Sequence, residues 1–133
     1  MDKECHEKGR AIRRAVLGNG YVDKAPMNTE EFSQPFQDFV TEHVWGAVWG
    51  RPGLDLKMRS ALNVAMLAAL CRDHELELHI AGALRNGLTK EELREIFIQV
   101  GAYAGAPCAV NAFRIARVAF EKLAAEGEPG QGA

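Results

Sequence analysis

The residues best suited to chemistry lie in one helix-like run, Glu75-Leu76-Glu77-Leu78-His79-Ile80-Ala81-Gly82-Ala83-Leu84-Arg85-Asn86-Gly87. It sets one histidine in an apolar face and stops at a glycine. At 3.6 residues per turn, Glu75 and His79 stand four apart and share a face, and Leu76, Ile80, Ala83 and Leu84 supply the packing around them. Histidine exchanges a proton near neutral pH, and a neighbouring carboxylate can fix its tautomer and favour its charged form. The pair therefore reads as a candidate acid–base site. The same spacing suits a solvated surface pair or a core histidine held by a local bond, and the pattern alone leaves these readings open.

A second unusual segment is Trp45-Gly46-Ala47-Val48-Trp49-Gly50-Arg51-Pro52-Gly53-Leu54-Asp55. Trp45 and Trp49 fall on one helix face, with Arg51 just past the helix end. They read either as an aromatic core stripe beside a solvated arginine, or as the wall of a pocket whose arginine meets an anionic ligand. Other chemistries lack the spacing they need. A zinc-protease helix places two histidines four apart, whereas His74 and His79 are five apart and diverge by about 140° on a regular helix. Cys5-His6 and Cys71 with His74 are too sparse for a closed metal site, so no metal is expected. Neither Cys71 nor Cys108 has the histidine spacing of a thiol nucleophile, and no glycine-rich phosphate loop occurs.

These residues must be positioned by helices. Glu4 to Leu17 reads as a short basic amphipathic helix closed by Gly18-Asn19-Gly20, a turn that detaches it from the next element. A second helix is expected from Thr29–Glu31 to about Trp49, its regular part starting at Pro35, and Arg51-Pro52-Gly53 ends it. Asp55 is a candidate N-cap for a third helix that is apolar nearly all round from Leu62 to Leu70, which predicts a central, buried position. Asp73 is expected to break it and cap a fourth helix ending with Gly87 at C′. Thr89-Lys90-Glu91-Glu92 is a capping box for a fifth, with Ile96, Phe97, Val100 and Tyr103 on its buried side. After Gly105-Ala106-Pro107 a sixth helix carries Val110, Phe113, Ile115, Val118 and Leu123. No strand-like alternation of useful length appears. The class is all-α, about six helices packed as a bundle.

At 133 residues the chain has the size of one domain, able to bury about two-thirds of its unfolded surface. One domain over 1–126 is expected, with a flexible tail at 127–133 that has nothing to bury. Sixteen basic and eighteen acidic residues give a net charge of -2, spread without long runs. That balance argues against a nucleic-acid footprint or a membrane-binding basic patch, and leaves a small molecule or another protein as partner. Met1 to Gly9 lacks the apolar core of a signal peptide, and no apolar run approaches the roughly 20 residues that span a bilayer. A cytoplasmic location is the resulting expectation. Cys5, Cys71 and Cys108, odd in number and far apart, suit buried thiols in a reducing compartment.

The runs W-G-A-V-W-G-R-P-G-L-D, R-S-A-L-N-V-A-M-L-A-A-L and E-L-E-L-H-I-A-G-A-L-R-N-G-L-T-K-E-E-L resemble the 4-carboxymuconolactone decarboxylase family over roughly Lys8 to Leu123. The Trp-Gly to Arg-Pro-Gly-Leu-Asp segment is the specific part. His79, Ala83 and Gly87 follow a pattern shared with the broader superfamily that includes AhpD-type alkylhydroperoxidases. The resemblance implies an all-helical fold, commonly a hexamer, with a pocket near His79. It departs from the AhpD branch where that branch carries its C-x-x-C pair, since those places fall on Arg72 and Glu75, and the place of a relay glutamate falls on Ser60. Cys71 lacks a resolving thiol three residues on, so a C-x-x-C relay is disfavoured.

The activity implied by the resemblance is decarboxylation of a small dicarboxylate lactone to an enol-lactone that leads toward β-ketoadipate, without a cofactor. The protein must stabilise a developing oxyanion and deliver a proton to carbon. His79 is the candidate acid or oxyanion donor, oriented by Glu75. Arg51, Arg59 and Arg72 are the candidates to grip the carboxylate that stays, because clamping the leaving one would stabilise the ground state. Trp45 and Trp49 are the candidates to exclude water. The alternatives are an AhpD-like thiol peroxidase and a non-catalytic helical oligomer that binds a small acid. Oligomerisation is favoured by the small-residue run Gly101 to Ala106, which could equally pack inside one subunit.

Overall fold

The computed structural model describes residues 1–26 and 29–127. Among them no strand occurs, and the chain divides into two compact units, residues 1–55 and 56–133. The all-α expectation holds.

The N-terminal unit is built on α1 (Lys3–Leu17), which Asp2 caps by accepting from the Cys5 N–H at 3.0 Å. Gly18, at φ 88°, ends it as expected. Asn19, however, opens a short helix rather than continuing a turn, and α2 runs from Asn19 to Lys24. A 3-10 turn over Glu31–Ser33 leads into α3 (Gln34–Phe39), with Pro35 in its first turn. The expected regular helix to Trp49 stops there. Val40–Gly46 is instead a π-helix, in which the Ala47 N–H reaches back five residues to the Glu42 carbonyl at 2.9 Å. The start of α1 takes up the widened segment: the Cys5 thiol donates to the Glu42 carbonyl at 3.2 Å, and the backbone N–H of the capping Asp2 donates to the Glu42 carboxylate at 2.8 Å.

Two glycines allow this contact. A Cβ on Gly9 would collide with the Thr41 carbonyl, and one on Gly46 with the Cys5 carbonyl. Only hydrogen at both places lets α1 lie directly on the π-helix. Trp45 and Trp49 of the same unit are buried, each 5% exposed.

The C-terminal unit packs α4 (Leu56–Ala69), α5 (Asp73–Arg85), α6 (Lys90–Ala104) and α7 (Ala106–Ala125) around one core. Val64 and Ala68, Leu76 and Ile80, Leu93 and Phe97, and Ile115 and Ala119 are its pairs, one from each helix. Two local signals hold and one does not: the cap of α5 is Arg72, with no side-chain cap bond, and Asp73 is the first residue of the helix. Thr89 and Glu92 form the reciprocal capping box, with both bonds at 3.0 Å. Gly87 sits at φ 101° and ends α5 in a Schellman motif, its N–H bonded to the Leu84 carbonyl and the Leu88 N–H to that of Ala83.

Three further expectations change. The third predicted helix, α4, is not buried all round. It turns Ser60, Val64 and Ala68 inward and leaves Met58, Leu62 and Met66 exposed. At about 100° per residue these two sets occupy opposite faces, so the second apolar face has no core to enter in this unit. Tyr103 is 89% exposed, because it follows the half-buried Ile96 by two turns and lies at the edge of the stripe centred on Phe97 and Val100. Cys71 is exposed rather than buried, since the chain turns at that residue. The expected tail, 127–133, lies outside the described residues apart from Gly127.

If the Gly9–Gly46 contact holds the N-terminal unit together, Gly46→Ala is expected to destabilise it by about 1–3 kcal/mol in urea unfolding. Gly20→Ala, whose added Cβ would meet nothing within 4 Å, is the control expected to cost nothing. Equal stabilities would remove the role given to Gly46.

Candidate active site

The flank of α5 beside its core stripe carries Glu75 and His79, one turn apart. Leu76, Ile80 and Ala83 are fully buried next to them, so the imidazole stands in largely apolar surroundings. Burial disfavours the charged ring and pushes its pKa from the ordinary 6.5 down to about 4, against an opposing pull from the Glu75 charge. His79 is therefore neutral at physiological pH.

The packed partner of this flank is α4. Asn63, half-buried there, places its Nδ2 3.5 Å from His79 Nδ1, at the outer limit of hydrogen-bond range. An amide nitrogen only donates, so Nδ1 accepts and the ring proton is assigned to Nε2. Sequence reasoning missed Asn63, which precedes His79 by sixteen positions on another helix. Its one available signal was the isolated amide within an otherwise apolar run. Arg59 lies one turn before Asn63 on the same flank of α4 and is half-buried. Ser60, fully buried, accepts from Asn86 Nδ2 at 2.9 Å and so ties α4 to the end of α5.

The remaining candidates are placed differently. Arg72 is the exposed N-cap residue of α5, at φ -90° and ψ 77°, off the helical face that carries Glu75 and His79. Arg51, Trp45 and Trp49 belong to the N-terminal unit. There the two indoles pack on each other with centroids 4.9 Å apart, and Arg51 is exposed in the turn that comes next. A cavity of about 460 Å³ in that unit is lined by other residues, among them Arg10, Arg13 and Arg14. Among the described residues no group of three or more His, Cys, Asp or Glu side chains converges to hold a metal ion, and no helix is long and apolar enough to cross a membrane.

The family model for the carboxymuconolactone decarboxylase family matches residues 34–118. The chain belongs to that family. Within it, the chain is 38% identical to the 4-carboxymuconolactone decarboxylase of Acinetobacter baylyi over 122 residues, 92% of this chain and 91% of the relative. It is 35% identical to nitrosuccinic acid decarboxylase npaB of Metarhizium robertsii over 128 residues, 96% of this chain and 90% of the relative. A 4-carboxymuconolactone decarboxylase of Pseudomonas putida is 36% identical over 45 residues, 34% of this chain and 94% of the relative. The carboxymuconolactone decarboxylase match includes α4 and α5 whole, and with them Arg59, Asn63, Glu75 and His79.

The neutral histidine has a measurable consequence. An unfolded chain protonates His79 near pH 6.5 and the folded chain only near 4, so between these values the unfolded state holds more protons and stability rises with pH. Acidification through that window is expected to remove up to about 3 kcal/mol contributed by this residue, with no further loss from it below pH 4. Urea unfolding of the wild type and His79→Gln at several pH values reads the difference. Parallel profiles would show that His79 is not buried neutral.

Proposed function

We propose that this protein is a cofactor-free decarboxylase of 4-carboxymuconolactone, giving the β-ketoadipate enol-lactone in aromatic-acid breakdown. The observation that carries the reading is the likeness to decarboxylases along more than nine-tenths of the chain. The two acids named for those relatives share a logic. Each has two carboxylates, and in each the electron pair left by CO₂ can spread into an acceptor, the lactone carbonyl through the ring double bond or the nitro group.

For such a reaction His79 is assigned to the developing oxyanion. A neutral ring whose Nδ1 accepts from Asn63 presents Nε2–H as a donor without adding a positive charge. Giving up that proton from the neutral state would leave an imidazolate. The proton that completes the shift at carbon is therefore assigned to water, or to His79 once substrate charge has raised its affinity for a proton. Glu75 opposes the effect of burial and sets how readily that happens.

Arg59 is our first choice for the retained carboxylate, because it shares the α4 flank with Asn63. Arg51 and Arg72 are the alternatives. Trp45 and Trp49 enter as the apolar wall that keeps water from the leaving group, on the strength of the resemblance. We also propose that residues 1–126 act as one domain in a cytoplasmic homo-oligomer, a hexamer by resemblance. The exposed apolar face of α4, with Met58, Leu62 and Met66, supports association.

Purified protein mixed with freshly generated 4-carboxymuconolactone is expected to release CO₂ and consume the lactone, and His79→Ala to lower kcat by about 100-fold or more while remaining folded. Turnover of nitrosuccinate alone would move the substrate to that of the fungal relative, and activity within a few fold in His79→Ala would remove the histidine. Arg59→Lys is expected to raise KM more than it lowers kcat, since a clamp on the retained carboxylate binds ground and transition states alike. An unchanged KM would shift the assignment to Arg51 or Arg72.

A further inference from the structure

The active-site reading leaves two thiols unused, and they meet. Cys71 Sγ lies 3.9 Å from Cys108 Sγ although 37 positions separate them. One sits in the corner between α4 and α5, the other in the first turn of α7. A resolving thiol three residues after Cys71 is absent from the sequence, but the fold supplies one from another helix.

The corner itself is unusual. It closes α4 with a Schellman motif, in which the Cys71 N–H bonds to the Ala68 carbonyl and the Arg72 N–H to that of Leu67. Cys71 occupies C′ at φ 56°, the only non-glycine residue at positive φ among the described residues. The end of α5 uses the same motif with Gly87 at C′. Glycine is the default at such a position because it has no Cβ to strain. A cysteine there holds an exposed sulfur at a fixed point against α7. The juxtaposition is braced independently two residues on, where Asn111 Nδ2 donates to Asp73 Oδ1 at 2.8 Å.

We propose that Cys71 and Cys108 are a redox-active dithiol that closes to an intramolecular disulfide when it meets a small disulfide oxidant. The exposed Cys71, as thiolate, attacks one sulfur of the oxidant, whose S–S bond breaks and releases a thiolate. Cys108, as thiolate, then attacks Cys71 Sγ in the mixed disulfide and expels the second half of the oxidant. Two protons pass from the cysteines to the two released thiolates, so the protein is oxidised by two electrons and the oxidant reduced by two. The hydrogen bond to Cys108, with that group's charge and Asp73 behind it, holds the Cys71 thiol above its ordinary pKa, so the exchange is slow at neutral pH. The product would pin the α4–α5 corner to α7 just ahead of the helix that carries Glu75 and His79.

The test treats the full-length protein with oxidised glutathione, alkylates the remaining thiols and maps the peptides by mass. Alkylatable thiols are expected to fall from three to one, leaving Cys5, whose thiol is bonded to the Glu42 carbonyl, with a linked Cys71–Cys108 peptide that dithiothreitol reverses. In Cys108→Ser, the glutathione adduct of Cys71 is expected to become the main species, because nothing resolves it. Three thiols still alkylatable, separate glutathione adducts on Cys71 and Cys108 of the wild type, or a link between two chains on a non-reducing gel would each overturn the proposal.

Discussion

The packing of α4 against α5 is the constraint on which the chemistry of this protein depends. It leaves His79 only partly open to water, and that desolvation is large enough to outweigh the charge of Glu75 one turn away. The ring rests neutral as a result. The same packing brings Asn63 to Nδ1, which leaves the remaining proton on Nε2. A residue that could have been a solvated acid thus rests as a neutral ring beside an amide supplied by another helix.

Much of this scaffold is legible in local sequence because local physics decides it. The Thr89–Glu92 capping box, Gly87 at the end of α5, Pro35 in the first turn of α3 and the buried set Leu76, Ile80, Ala83 and Leu84 involve residues within a turn or two of one another. The failures share the opposite character. The widening of Val40–Gly46 into a π-helix depends on α1 lying against it, which requires Gly9 and Gly46 to be read together across the chain. The two-faced character of α4 escapes notice because an apolar run looks the same whether one side or both meet a core. Asn63 beside His79 and Cys108 beside Cys71 are contacts between helices, and no periodicity announces them.

Glu75 and His79 share a helix face by their spacing, and in the fold the Glu75 charge acts on the ring across one turn. Arg51, Arg59 and Arg72 were equivalent as sequence, since each is a guanidinium near a helix that could carry chemistry. Their surroundings separate them: Arg59 is half-buried on the flank that holds Asn63, whereas Arg72 caps a helix and Arg51 ends a turn, both exposed. An arginine that must hold a carboxylate against water gains from partial burial, because the attraction is screened less there.

Desolvation also explains why such a site needs an arginine for one carboxylate and none for the other. Loss of CO₂ moves charge from two oxygens of a carboxylate onto a delocalised dienolate. A dry environment disfavours the compact charge more than the spread one, so apolar surroundings at the leaving group favour the reaction. The downward push on the His79 pKa reports such surroundings at the α5 flank. A cation placed on the leaving group would cancel this advantage by stabilising the charge where it starts. On the retained carboxylate, the charge is the same before and after reaction, and a cation there contributes binding without opposing the electron flow. The neutrality of His79 completes the argument: a resting imidazolium would attract either carboxylate without distinction, whereas a neutral N–H grows in value as the oxyanion develops.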